Sequence, residues 1–448
     1  MSRRSLIATF TVSALFAVGC SSTDEGALGG GEDEEADLFD SGVVHDITAD
    51  FDTDDYDALI DEFADSGEKV WMEATVTIDG TTYEHVGMRL KGNSSLAGLG
   101  GGGPGGPAGF GGGPGGGSSA EEPESLPWLI RLDEYVDGQS HQGYEDIVVR
   151  SNGSATALNE ALALDLLDEA GLASQAAAAT SFTVNDGEPK LRLAIEHPDD
   201  DAWQEGAFDD DGALYKAEST GDWSYRGDDP DEYTDVFDQE GGSALTDLTP
   251  LIDFLQFINE SDDETFASGL PDRLDVDAFA TYLAMMDLVD NFDDIDGPGN
   301  NAYLWYNLAS EQFTVVPWDM NLAFGALGGP GGGGGQPPGG FDPNDLPDGF
   351  DPGELPEGFD PPEGGPGGPG GFGGSNVLVE RFHDSTEFES LYQTKLEELQ
   401  ATLYDSGVAS DILDAWTDTL ISDASDLVDG DTVNKEAAAI AEQLNATD

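Results

Sequence analysis

The sequence is poor in three things. It has one cysteine, Cys20, in 448 residues, so no disulfide can form within the chain and a cysteine-based zinc site is ruled out. It has 15 Lys+Arg against 93 Asp+Glu, a formal net charge of −78. That balance argues against a nucleic-acid partner, whose phosphates would meet a field of like sign. Such an excess of solvated carboxylates suits a protein kept soluble in high salt. After the first 20 residues, no apolar run reaches the roughly 18 residues needed to cross a bilayer. Scarcity makes the remaining bases informative. Arg89, Lys91, Arg131, Arg150, Lys190, Arg192, Lys216 and Arg226, eight of the 15, fall in one third of the chain. They read either as a face turned to an anion or as scattered surface ion pairs.

The lone cysteine has a context. Arg3 and Arg4 precede an apolar run from Leu6 to Val18, which ends in Gly19 and Cys20. A basic start, a short apolar core and a small residue before the cleavage point make a signal peptide over 1–20. Cys20 then stands where an exported lipoprotein carries its lipid, although Ala17 makes the lipobox imperfect. Ser2 to Leu6 also resembles a twin-arginine export signal. The expectation is a chain held by Cys20 at the outer face of the cell membrane, with plain secretion as the alternative. Residues 21–42 are polar and acidic, a tether to a folded part that begins near Val43.

Two segments lack the means to bury a core. Residues 97–119 and 326–374 are dominated by Gly and Pro, so disorder is expected in both. The second repeats Gly-Phe-Asp-Pro at Gly340, Gly349 and Gly358, too few copies for a solenoid. Between and around them the pattern is mixed. Val70 to Ile78 and Tyr83 to Leu90 alternate about an Asp79-Gly80 turn. Further strands are expected at Leu126 to Leu132, Tyr144 to Arg150, Ser181 to Val184, Leu191 to Ile195 and Leu214 to Glu218. Ala155 to Ala170 has helical spacing and stops at Gly171. From Leu245 the chain turns helical, with apolar residues three and four apart in Leu251 to Ile258, Phe266 to Leu270 and Val276 to Asn291. Helices follow Asn376 and are expected to cap the second half.

The stretch from Met286 to Gly325 organises the rest. A helix end leads into an acidic loop over 293–301. Ala302 to Trp305 and Phe313 to Pro317 then read as a hairpin ending in Trp318, Asp319, Met320 and Asn321. Its open end would gather Asp293, Asn301, Asp319 and Asn321. Carboxylates and amides are hard oxygen ligands suited to Mg²⁺ or Ca²⁺. They also match what phosphoryl transfer needs, one Asp for the acceptor hydroxyl and an Asn and Asp for metal. In so acidic a chain, chance would also supply an acidic loop, so spacing leaves both readings open. Lys91-Gly92-Asn93-Ser94-Ser95, directly after a strand, is a turn that can wrap an anion with backbone N–H groups.

These pieces resemble the CotH family, the spore-coat-protein-H-like kinases. Val86 to Ser95, Leu214-Tyr215-Lys216-Ala217-Glu218, Asn291-Phe292-Asp293 with Asn301 to Leu304, and Pro317 to Gly325 carry the likeness, which spans about Val43 to Gly325. It implies an α+β, atypical protein-kinase-like fold of two lobes. The first, β-rich lobe would cover about 43–240, and the second, helical lobe would start near 245, with ATP between them. It further implies that Lys91, Gly92, Asn93, Ser94 and Ser95 cover the phosphates. Asp293 would serve the acceptor hydroxyl, while Asn301 and Asp319 hold Mg²⁺, or Mn²⁺ or Ca²⁺ in its place. Glu160 would pair a nucleotide-binding lysine. Many family members carry that lysine on the strand read here as Pro127 to Leu132. Leu129 stands in its place, with Arg131, Lys216 or Lys91 as substitutes. The implied reaction passes phosphate from ATP to Ser/Thr of an exported protein. The alternative is an inactive relative kept as a structural or binding lipoprotein. Both Gly/Pro segments would leave the same cleft mouth.

Overall fold

The computed structural model describes residues 36–92, 94–99, 119–218, 222–242, 245–291, 293–297, 299–325 and 376–445. The expected signal peptide, Cys20, Asn93, the second Gly/Pro segment and most of the first lie outside them. The architecture is mixed α+β, with two sheets and, among the described residues, ten α-helices.

The first sheet is a closed barrel. Its strands are β1 (Val44–Phe51), β2 (Met72–Ile78), β3 (Thr81–Leu90), β4 (Trp128–Arg131), β5 (Asp146–Val149), β6 (Ala177–Val184) and β7 (Lys190–Ile195). They run in the order β1-β2-β3-β4-β5-β7-β6. Parallel pairing of β1 with β6 closes the ring, so no edge is left to pair with another chain. The strand period of two then divides the side chains. Trp128 and Ile130 of β4 fill the barrel with Ile47, Val76, Val86 and Phe182. Leu129 and Val148 point outward, into a larger core shared with α2 (Leu158–Glu169). Nine of the twelve residues of this helix are buried, Asn159 and Glu160 among them, so it is enclosed along most of its length. The other helix of this half, α1 (Thr53–Ser66), starts on an Asp52 cap and stops at Gly67, whose φ is +79°.

The second sheet has the order β11-β10-β8-β9. It contains β8 (Gly212–Ala217), β9 (Phe237–Gly241), β10 (Ala302–Asn307) and β11 (Gln312–Pro317). The chain reaches it through α3 (Asp201–Ala207). The helices α4 (Thr249–Glu260), α5 (Asp263–Gly269) and α6 (Val276–Leu288) pack around it. After the second Gly/Pro segment come α7 (Val377–Asp384), α8 (Thr386–Leu399), α9 (Val408–Asp423) and α10 (Gly430–Leu444).

Four expectations need correcting. The tether does not extend to residue 42, because Leu38 and Phe39 are buried with the barrel core and Leu38 N donates to Gln142 Oε1 at 2.9 Å. The first Gly/Pro segment does not begin at residue 97. Residues Ser94–Leu99 form a 3₁₀ helix, and Leu96 and Leu99 are buried. The strand carrying Lys216, expected in the first lobe, belongs to the second sheet, between β10 and β9. Finally, the last helices do not cap that half alone. While α8 packs along α6, α9 and α10 lie on α2. There Trp416 Nε1 donates to Asp165 Oδ2 at 2.7 Å. The Glu436 carboxylate accepts from Ala155 N and Thr156 N, both at 3.1 Å.

Candidate active site

The acidic loop is built by its own hydrogen bonds. Asp294 Oδ1 accepts from Asp296 N and Gly297 N at 3.0 Å, closing a tight turn. The buried Tyr282 hydroxyl of α6 accepts from Ile295 N at 3.2 Å. Asn301, buried just before β10, donates from Nδ2 to the main-chain oxygen of Asp293 at 2.8 Å. Ala302 pairs with Pro317 across the hairpin, which brings Asp319 to the same end. Asp319 sits in the left-handed region at φ +64°, a conformation a short polar side chain tolerates better than most. Asp319 therefore stands close enough for its charge to act on Asp293. Burial first, and the Asp319 charge second, push the Asp293 carboxyl from 3.8 up to about 6.

Asp319 has a cation beside it. Arg150 directly follows β5 and shares the outward face of Asp146 and Val148. Its guanidinium binds Glu160 on α2, Nε to Oε1 at 2.8 Å, and Asp319 through a second nitrogen. Only 10 % of the Arg150 side chain and 2 % of that of Glu160 are exposed. The two carboxylates hold the Arg150 guanidinium charged despite its burial. The same helix fixes the loop beyond Asp319, since Asn159 Nδ2 donates to Asn321 O at 2.7 Å. Glu160 is thus paired as expected of a helix glutamate, but with Arg150 and not with a lysine.

A second line of charge leads in from β3. Arg89 and Lys91 lie two apart and share a face. Arg131 holds Asp146 with both arms, Nε to Oδ1 at 2.7 Å and Nη2 to Oδ2 at 2.6 Å. Asp146 Oδ2 meets His197 Nδ1 at 2.8 Å, and Lys91 Nζ lies 2.7 Å from His197 Nε2. An ammonium has only hydrogens to offer, so Nε2 accepts and Nδ1 carries the proton. Burial and the Lys91 charge agree, lowering His197 to about 3 and keeping it neutral. Burial lowers the Lys91 ammonium below its ordinary value, and the Trp318 ring lies 5.6 Å from it. Lys216 Nζ donates to Ala217 O and Asn300 O at 2.8 Å, and burial brings it to about 8. After burial, the charges of Lys91, Arg89 and Lys216 lower the Lys69 ammonium further, so these bases gather in one place.

Not every predicted base joins them. Arg226 pairs with Asp222, and Arg192 donates to Glu124 O at 2.9 Å on the barrel. Arg131 serves Asp146 and the Trp71 face, not an open phosphate position. Leu129 is fully buried. Gly92, at φ +93°, turns the chain after Lys91, and a Cβ there would meet Ser95 Oγ at 2.5 Å, so the turn needs glycine. Ser94 and Ser95 open the 3₁₀ helix and do not form an extended loop. Sequence reasoning missed Asp146, His197 and the role of Arg150. Period-two spacing along β5, Asp146–Val148–Arg150, was a signal for Asp146 and Arg150 but not for His197.

The family comparison fits this arrangement. The model of the family described as CotH kinase protein matches residues 115–436. The chain belongs to the CotH kinase family. The match takes in Asp293, Asn301, Asp319, Glu160, Arg150 and Lys216, and it runs on through the C-terminal helices. It starts after the Lys91 turn, so the CotH match is shifted toward the C-terminus relative to the Val43–Gly325 span of the motifs. No curated protein matches the chain. Family membership makes the protein kinase-like and implies, in general terms, use of ATP and a divalent metal.

Proposed function

We propose that this CotH protein is an exported, surface-anchored phosphotransferase that moves phosphate from ATP-Mg to Ser/Thr of an exported protein. One observation carries the reading: Asp293, Asn301 and Asp319 meet at the open end of one hairpin, beside a cluster of bases in a chain that has few. The residues fit a hard divalent cation. Their donors are all oxygen, and burial together with the Asp319 charge disfavours the ionised form of Asp293 until a cation joins them. Asp319 and Asn301 would hold it, and the bound ion would neutralise charge on the transferring phosphates. Asp293 orients the acceptor hydroxyl and takes its proton, a role served by a carboxyl raised toward neutrality. Lys91 and Lys216 face the phosphates, with Lys91 held in place through His197, Asp146 and Arg131. Arg150 fixes Asp319 against Glu160. Cys20 would carry the lipid.

The second reading, a structural or binding lipoprotein without transfer, is favoured by the buried Leu129 and by Arg150 occupying one oxygen of Asp319. Titration of ATP with and without Mg²⁺ or Mn²⁺, on wild type and Asp319→Ala in high salt, separates the two when followed by labelled-phosphate transfer. Metal-dependent binding and transfer, both lost in the variant, support the enzyme. Metal-independent binding with no transfer supports the second reading. For anchoring, Cys20→Ala should release the protein into the medium, and retention on the cell would refute the lipid.

A further inference from the structure

Arg89 has no part in the roles assigned above. It lies on β3 opposite Leu129 of β4. On its other side stands Trp71, one step beyond the Met72–Met88 pair that joins β2 to β3. Opposed residues on neighbouring strands share a face of the sheet, so one row reads Trp71, Arg89, Leu129 across the outside of the barrel. Leu129 is fully buried and closes the row on the β4 side. The half-buried Arg89 lies toward β2, its guanidinium carbon 4.8 Å from the centre of the Trp71 ring. That ring attracts the charge but offers neither an anion nor a lone pair. Arg131, Arg150 and Arg226 each hold a carboxylate, and Arg192 holds two main-chain oxygens. Among the described residues no acceptor meets Arg89, and its Nε is buried without a partner. With 93 Asp+Glu in the chain, a shortage of acids does not explain this.

The neighbour of Arg89 along the strand is another cation. Lys91 is two residues on, and the β3–β4 pairing runs past it, with Lys91 N donating to Pro127 O at 3.0 Å. Two strand steps of about 3.3 Å each separate the pair on one face. The Arg89 charge acts on Lys91, and it acts with Lys91 and Lys216 on Lys69. Cations held together in this way favour an anion among them. We infer that Arg89 is a phosphate-binding residue, whose outer guanidinium nitrogens hold the phosphate beside the one at Lys91 in the polyphosphate tail of a nucleotide. The phosphotransfer reading supplies the place of that tail at Lys91 and Lys216. A planar guanidinium presents paired N–H groups that match two oxygens of one phosphate, and the Trp71 ring keeps that plane in position. β3 thus supplies a cation where β4 carries Leu129.

The test is calorimetric titration of tripolyphosphate, and separately of ATP with Mg²⁺, into the full chain in concentrated KCl. Arg89→Met, Arg89→Lys and Lys435→Met accompany the wild type. Lys435 is exposed on α10, so its loss controls for net charge alone. Circular dichroism checks the fold of each. Arg89→Met is expected to weaken tripolyphosphate binding at least about tenfold, the worth of a hydrogen bond to a charged group. Arg89→Lys, which keeps the charge and loses the paired N–H groups, should bind more weakly than wild type. Lys435→Met should match wild type. The inference is overturned if wild type binds no tripolyphosphate, if Arg89→Met falls short of that loss, or if Lys435→Met loses as much. Should Arg89→Met fail to fold, wild-type affinity in Arg89→Lys overturns it. Labelled-phosphate transfer, followed in parallel, separates the two readings. Transfer without Arg89-dependent binding removes this inference and leaves the phosphotransferase, and Arg89-dependent binding without transfer does the reverse.

Discussion

Arg150 lies between Glu160 and Asp319, 2.8 Å from the first and in direct contact with the second, and so joins α2 to the end of the β10–β11 hairpin. Removing one partner of a buried ion pair leaves the other charge stranded, at a cost of about 3–5 kcal/mol. Arg150→Met should therefore lower the urea midpoint sharply, and adding Glu160→Leu should restore most of it. The double variant should still fail to bind ATP-Mg, because Asp319 has lost its restraint. Recovery of binding in the double variant would show that Arg150 acts only in stability.

Asp293 gives a pH prediction with a definite sign. Its folded carboxyl is raised from 3.8 to about 6, so the folded state favours the neutral acid. The resulting cost is absent below the unfolded value, grows as pH rises from about 4 to about 6, and stays constant above. In metal-free protein, Asp293→Asn should stabilise by about 1–3 kcal/mol at pH 7.5 and leave stability nearly unchanged at pH 3.5. Denaturant unfolding at the two pH values measures this, and an equal gain at both would refute it.

Leu129→Lys tests whether the absent lysine can simply be put back. Leu129 is fully buried against the core that contains α2. A lysine there is held neutral some three pKa units below its usual value, costing on the order of 4 kcal/mol. The melting temperature should fall with no gain in nucleotide affinity. A stable variant that binds ATP more tightly would mean that β4 turns this face to the nucleotide.

His197→Phe removes the acceptor that holds the Lys91 ammonium at 2.7 Å. A hydrogen bond to a charged group is worth about 1.5 kcal/mol or more, roughly tenfold in affinity. ATP-Mg affinity should fall by about that factor while Asp319-dependent metal binding is retained. Unchanged nucleotide affinity would remove Lys91 from the phosphate site.

Glu436 reaches from α10 to the start of α2, accepting from Ala155 N and Thr156 N. Its loss should cost about 1 kcal/mol, as for a missing helix cap. Hydrogen exchange should quicken in the first turn of α2, where Glu160 sits. Quickening confined to α10 would show that the contact does not steady the site.

The sequence by itself determined the local pieces. Alternation set most of the strands, three- and four-residue spacing set the helices from Leu251 onward, and the hairpin between Ala302 and Pro317 followed from a short turn between β-rich runs. Those are interactions between near neighbours. Because Asp293, Asn301 and Asp319 flank that one hairpin, their meeting was also legible. β1 was not recognised although Asp46, Ile47, Ala49 and Asp50 alternate; its closing partner, β6, is more than 120 residues away in the chain. Only the tertiary structure decided the pairing of charges. Arg150 finds Asp319 169 residues on, and Lys91 finds His197 106 residues on, through a sheet register and a buried helix that no local pattern specifies. In a chain with 93 acids, nearly every base has a carboxylate available to it, so the packing of α2 against β4 and β5 selects which ones meet.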